Sequence, residues 1–417
     1  MPRRGGMLMA GVALLLPWSM TTAEEHALPL QPLIDAATPG SVLQVPPGRY
    51  RGPVRLDKPL TLEGAGAVTV DGGGKGTVMT ITADSVTLRG LHIRGSGQFH
   101  NDLDACVHVR ASRFHIEGNR MSECLFGIDV QQANDGVVRN NDITSHDLDL
   151  GLRGDAIRLW YARNNRIEAN TIHDSRDVVI WYSAHNVIAH NRISGGRYSV
   201  HFMYAQDNHV ENNVFDGNAV GIFLMYSSRA RVAGNLIRNA AGSTGLCLGL
   251  KDTSEAEIIG NRMIHCSAGI YLDQSPYDPD TTNLFQGNHV GYNSIGVQFH
   301  MSLTGNRFRD NNFISNLTPV AVDSRGHALD SQWEGNYWDT FEGFDADGDG
   351  IGDTPFEAYL YADLLWMDHP NLKFFHGSPV LAVLDFLERL APFSNPQLLL
   401  RDTRPRMSPL PGEMPHG

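Results

Sequence analysis

The chain has 417 residues, an apolar share of 41% and a formal net charge of -13. That length suits one large domain or two ordinary ones, and the apolar share supports a real core. The acidic balance argues against a nucleic-acid partner, because phosphate neutralisation needs clustered Lys and Arg.

In chain order, residues 1–23 have the form of a signal peptide. Arg3 and Arg4 give the charged start, Met7 to Leu16 the apolar stretch, and Thr21-Thr22-Ala23 the small-residue cleavage site. The arginine pair raises the twin-arginine route, with general secretion the favoured one. No later run reaches the roughly 18 apolar residues of a membrane helix, so the expectation is a periplasmic protein without a transmembrane segment. Residues 24–49 make an N-terminal cap, with a short helix over Leu30–Ala37, an extended run at Val42–Val45 and the turn Pro46-Pro47-Gly48.

From residue 50 to 340 a unit of apolar-x-x-Asn-x-apolar recurs. Its asparagines are Asn119, Asn141, Asn170, Asn191, Asn213, Asn235, Asn261, Asn288, Asn311 and Asn336, at gaps of 21 to 29 residues. Such a period with short β-like runs predicts an all-β fold, a right-handed parallel β-helix of about ten to twelve coils. Asn is expected to take the turn, where left-handed backbone angles are tolerated, and to stack its amide from coil to coil. The cysteines Cys106, Cys124, Cys247 and Cys266 lie in pairs 18 and 19 residues apart. Export permits two disulfides, although buried free thiols are the default expectation.

A second strand in each coil alternates inward and outward residues. Its outward side gives one column of Arg110, Gln131, Trp160, Tyr182, Met203, Met225, Gly249, Asp273 and His300. A neighbouring column holds His108, Asp129, Arg158, Ile180, His201, Phe223, Cys247, Tyr271 and Gln298. Coils sit about 4.8 Å apart, so His201, Met203 and Met225 fall within reach of one another, ringed by Trp160, Tyr182, Tyr204 and Tyr226. Thioether and imidazole together are a ligand set that selects Cu(I). An exposed soft patch of this kind also marks a contact surface. Two other readings stand beside copper: an apolar docking surface without metal, or plain core if the register is wrong. His300 and Met301 form a second candidate copper site in the same columns.

Beyond the coils, residues 341–377 form an acidic cap. Asp345, Asp347, Asp349 and Asp353 occupy positions 1, 3, 5 and 9 of a calcium-type loop with Gly350 at position 6. Position 12 is Phe356 rather than Glu, so either a shorter or water-completed calcium loop or an unmetallated acidic turn results, structural in both cases. Residues 378–400 carry Val380, Val383, Leu384 and Leu387 on one face at helical spacing, as a solenoid cap or a helix docking on a membrane partner. Residues 401–417, rich in proline, are expected to be a disordered tail.

An enzymatic alternative rests on His108, Asp129 and Arg158 in successive coils. A carboxylate beside an imidazole and a guanidinium is equipped for acid–base work on a polysaccharide, as a lyase or hydrolase. The competing explanation is an ion-pair ladder on a solvated face, and the enzyme remains the minor reading.

The Asn-centred coils resemble the carbohydrate-binding and sugar-hydrolase type of β-helix repeat. More narrowly, the chain resembles the NosD family. The resemblance is carried by Leu43-Gln-Val-Pro-Pro-Gly-Arg-Tyr50, Pro59-Leu-Thr-Leu-Glu-Gly64, Val200-His-Phe-Met-Tyr204, Phe223-Leu-Met-Tyr226, Gly335-Asn-Tyr-Trp338, the Asp345–Asp353 loop, and the segments Ser378–Ala382 and Ala391–Phe393. It implies a periplasmic protein joined to the membrane subunit of an ABC transporter. Such a protein accepts copper from a periplasmic copper chaperone and helps assemble the copper centres of nitrous-oxide reductase. It implies no catalytic residue; the individual copper ligands come from column position instead.

Overall fold

Short β-runs that each bury one apolar face need neighbours above and below, and the chain supplies them by coiling. The computed structural model describes residues 27–411, apart from 243, 302–303, 323–327 and 361–396, and within that last stretch only Val383 and Leu387 are described. The signal peptide, Val380 and Leu384 therefore lie outside the described residues. Val383 and Leu387 are helical and exposed.

The coils form a parallel β-helix. One sheet, called the front sheet here, has twelve strands, from Val54–Leu56 through Tyr198–Met203 and Val220–Met225 to Thr318–Val322. All its pairings are parallel. A second sheet of 27 strands folds around the asparagines, which sit between short strand pairs such as Val187–Ala189 and Arg192–Ser194. The side chains between the sheets form one continuous apolar core.

The asparagine ladder is present at all ten positions. The Nδ2 of each of the first nine donates to the Oδ1 of the asparagine one coil on, from Asn119 to Asn141 at 3.2 Å through Asn311 to Asn336 at 2.9 Å. The same Nδ2 also donates to a backbone carbonyl of the preceding coil, as Asn191 does to Ile167 at 2.9 Å. These side chains are buried, so an unpaired amide there would cost roughly 1–3 kcal/mol. The expectation that Asn itself takes the left-handed turn is corrected. That conformation belongs to the residue before it, for example Asn140, Ala169, His190, Asn212 and Gly234. Asn is held by its amide, not by its backbone.

The ends are closed by side chains. A six-residue helix, Gln31–Ala36, covers the first front-sheet edge. Its Gln31 amide donates to the Arg55 carbonyl at 3.0 Å and accepts from the Arg55 N–H at 2.8 Å, pairing the edge as a strand would. Leu28–Pro29 and Val42–Gln44 pair in parallel with the next strands, so the expected cap is itself a first coil. At the far end, Gln397–Asp402 pairs antiparallel with Phe356–Leu360. The segment expected to be a disordered tail is described to residue 411 and follows the solenoid wall, bonding at Arg406 to Asn336 and at Leu410 to Asn312. Free thiols are also corrected: Cys106–Cys124 and Cys247–Cys266 are disulfides with Cα separations of 5.5 and 5.7 Å.

Candidate functional site

The outward side of the front sheet carries the predicted soft residues. In Tyr198–Met203, Val200 and Phe202 point into the core while His201 and Met203 face outward. In the next strand, Ile222 and Leu224 point inward and Met225 outward. The ladder pairs Met203 directly with Met225 and His201 with Phe223. Plain core is thereby excluded for the two thioethers, which are half-buried.

The His201 Nε2 lies 3.2 Å from the Met225 Sδ. These two atoms, an imidazole nitrogen and a thioether sulfur, are the groups here that could hold a soft cation between them. Met203 stands one rung away on the same face. Burial pushes the imidazole down to about 4, against a partly opposing pull from Asp177. The ring is therefore neutral near pH 7.

Two aromatic columns border this pair, and here the expected register needs correction. Trp181, not Tyr182, pairs with Trp160 on one side and Met203 on the other. The true column is Gln131, Trp160, Trp181, Met203, Met225, Lys251 and Asp273. In the neighbouring column Val179 replaces Ile180 and Gly249 replaces Cys247. Ile180 and Cys247 lie in the core. Tyr182 belongs instead to a corner stack of Tyr161, Tyr182, Tyr204 and Tyr226, with ring centroids 4.9, 5.2 and 4.9 Å apart and nearly parallel planes.

All four tyrosines have left-handed backbone, with φ between 48° and 50°, and are 37–50% exposed. Column reasoning misses Tyr161 and Trp181, yet the chain repeats the signal: Trp-Tyr at 160–161 and 181–182, then Met-Tyr at 203–204 and 225–226. The result is a block four coils long and two columns wide. It is bounded by Gln131 and Gln132 before and by Lys251 and Asp252 after.

The remaining candidates separate from this block. Met301 is 41% exposed and accepts from the Gln274 amide at 3.2 Å, while the exposed His300 ring lies 6.3 Å from Tyr271. These contacts draw the two side chains toward different neighbours. Asp129 is fully enclosed; its Oδ2 meets His108 Nδ1 at 2.7 Å and accepts from Gln131 at 2.9 Å. Arg158 lies over the Trp160 and Trp181 rings at 5.0 and 5.5 Å, and its Nε is 3.8 Å from Asp129. The three residues do stack in consecutive coils, but the carboxylate offers a sugar no approach. Asp345, Asp347 and Asp349 bring carboxylate oxygens within 4.8 Å of one another. Backbone N–H groups of Gly350 and Gly348 hold the Asp345 carboxyl below its usual range. Asp353 accepts from the Ala346 N–H at 2.8 Å.

Comparison with known proteins agrees with the fold and the resemblance. The family described as "NosD: Periplasmic copper-binding protein (NosD)" matches residues 145–343. A protein of Pseudomonas aeruginosa named "Probable ABC transporter binding protein NosD" is 28% identical over 380 residues, covering 83% of each chain. One of the same name from Stutzerimonas stutzeri is 29% identical over 407 residues, covering 93% of this chain and 89% of its own. Among solved structures, the A-module of the Azotobacter vinelandii mannuronan C-5 epimerase AlgE6 superposes with a TM-score of 0.56 at 14% identity, over 70% of this chain and 90% of its own. That last likeness speaks for the fold alone.

Proposed function

We propose that this chain, similar over residues 145–343 to the NosD family, is a periplasmic accessory factor that binds Cu(I) at His201, Met203 and Met225 and passes it on. The observation that carries this reading is the imidazole nitrogen 3.2 Å from a thioether sulfur on an outward face. Copper is the cargo, and no catalytic residue is assigned. The N,S donor set suits a monovalent d10 ion and is poor for harder cations.

The surrounding block supplies the docking surface. Tyr, Trp and Met are the side chains enriched at interface centres. Trp160, Tyr182, Tyr204 and Tyr226 stand beside the ligands, together with Tyr161 and Trp181. Because Met203 and Met225 are part of the same block, a protein seated there would cover the metal. We read the copper chaperone and nitrous-oxide reductase as the proteins that dock at this block. The transporter's membrane subunit we assign to the segment around Val380, Val383, Leu384 and Leu387. The Asp345–Asp353 loop is read as a structural calcium site. Of the second copper site at His300 and Met301 nothing further is proposed.

The test is Cu(I) titration of the purified protein against a competing chelator, with His201→Ala beside it. The expected result is one tightly bound ion per chain and at least a tenfold loss in the variant. Equal affinity in both would remove His201 from the site. A glycan-cleavage screen that found activity abolished by Asp129→Ala would favour the enzyme instead.

A further inference from the structure

A side chain that holds a metal ion must be kept at one orientation, and His201 has no hydrogen bond from its second nitrogen that does so. That Nδ1 is buried without a partner, whereas a metal-bound imidazole ordinarily donates from it. Something other than a hydrogen bond must set the ring plane.

The ring is held by packing. Tyr198, three residues earlier in the same strand, stacks on it at 4.7 Å with planes 21° apart. Trp181 meets it edge-on at 5.9 Å and 86°. Tyr198 is fixed in turn, with the Arg197 guanidinium 4.9 Å over its ring. Arg197 is paired with the buried Asp177, which accepts from its Nε at 3.1 Å and from the Tyr198 backbone N–H at 3.0 Å. Phe223, the rung partner of His201, is near Tyr198 at 6.0 Å and lies over Gly249, where an added Cβ would meet the ring at 2.5 Å. The absence of a side chain at Gly249 leaves the room that the Phe223 ring occupies.

We propose that Tyr198 is the positioning residue of the copper site: its ring, held by the Asp177–Arg197 pair, fixes the His201 plane so that Nε2 faces Met225. The proposal rests on the reading of His201 as a copper ligand. It makes the site asymmetric. The imidazole is the fixed ligand, and the flexible thioethers on the open side are the ones that adjust or exchange. Preorganisation of this kind acts through a lower ordering cost on binding.

Cu(I) affinity of Tyr198→Ala, Tyr198→Leu and Tyr198→Phe, each checked for an unchanged melting temperature, tests it. The expected result is a five- to twentyfold loss in the Ala and Leu variants and an affinity within twofold of the parent in Tyr198→Phe, which keeps the ring. Tyr198→Leu fills the space without a flat face, so it decides the question if the Ala variant does not fold. Parent-like affinity in Leu or Ala, or an equal loss in Phe, would overturn the positioning role. If His201→Ala binds Cu(I) as tightly as the parent, the metal reading itself fails, and the two failures are told apart.

Discussion

The imidazole of His201 and the thioether of Met225 make contact because two strands pair in one register, His201 with Phe223 and Met203 with Met225. A single-residue slip would send His201 and both thioethers into the core. At this scale the chain also buries charges that the site does not use. Asp155 is enclosed, and burial raises its carboxyl to about 6 although Arg176 beside it pulls the other way. A carboxyl raised in the folded state gives stability that is full below its unfolded value near 3.8 and is lost as pH rises through about 6. The protein should therefore gain on the order of 1–3 kcal/mol from this group between about pH 8 and about pH 4. Asp155→Asn should remove that gain, as measured by denaturant unfolding at the two pH values; an unchanged difference would show that Asp155 titrates normally.

Columns and ladders are the elements of this fold. Along the ladder each asparagine directs one Nδ2–H to the amide oxygen of the next coil, toward the C-terminal end. The last donors then need an acceptor. Asp402, fully buried, supplies it, accepting from the Asn336 N–H at 3.1 Å, the Asn336 Nδ2 at 2.8 Å and the Trp338 Nε1 at 3.2 Å. Asp402→Ala would leave three buried donors unmet and should cost about 3 kcal/mol or more, visible as a lowered unfolding midpoint. The tyrosine stack obeys a different rule. Left-handed backbone suits Asn or Gly and costs a tyrosine about 1 kcal/mol or more. Replacing Tyr204 and Tyr226 together by Asn should therefore leave the melting temperature unchanged or raised, while pull-down of a copper-carrying partner is lost. A lowered melting temperature with docking retained would assign the stack to folding alone.

The periodicity makes the solenoid legible, because each coil repeats the same burial problem and the same amide solution. The ladder asparagines are all identifiable from it, and so is the outward placement of His201, Met203 and Met225. The register of Trp181 is not, since in that coil the strand is reached with an irregularity between Asp177 and Val179 that a constant spacing cannot express. The disulfides are equally hidden. Cysteines 18 and 19 residues apart meet because the coil returns to nearly the same place, and that depends on turn shape rather than on spacing. Tyr198 carries no signal of its own, as its role comes from a ring in the same strand and a carboxylate in the coil before.

Across the whole molecule the outer surfaces differ in character. The second sheet carries crossed ion pairs such as Arg89 with Glu63 and Glu117, and Arg231 with Glu211 and Glu257, which add little net energy in water. The thioether and aromatic block lies on the front sheet and its corner. This division leaves the charged ladders on one side and the apolar, aromatic block on the other. The Asp345–Asp353 loop packs against the C-terminal segment at the rod's far end, with Gly352 donating to the Pro405 carbonyl at 2.7 Å and Met407 to the Gly350 carbonyl at 3.0 Å. Millimolar calcium should raise the melting temperature of the parent and leave Asp345→Asn/Asp349→Asn unaffected; no shift in the parent would make the loop an unmetallated turn.

The sharpest check on copper at the His201 face is X-ray absorption of the Cu(I)-loaded protein. The expected spectrum has one nitrogen scatterer at about 2.0 Å and two sulfur scatterers at about 2.3 Å, with the sulfur shell lost in Met203→Ala/Met225→Ala. A shell of oxygen and nitrogen without sulfur, or an unchanged spectrum in the double variant, would contradict it.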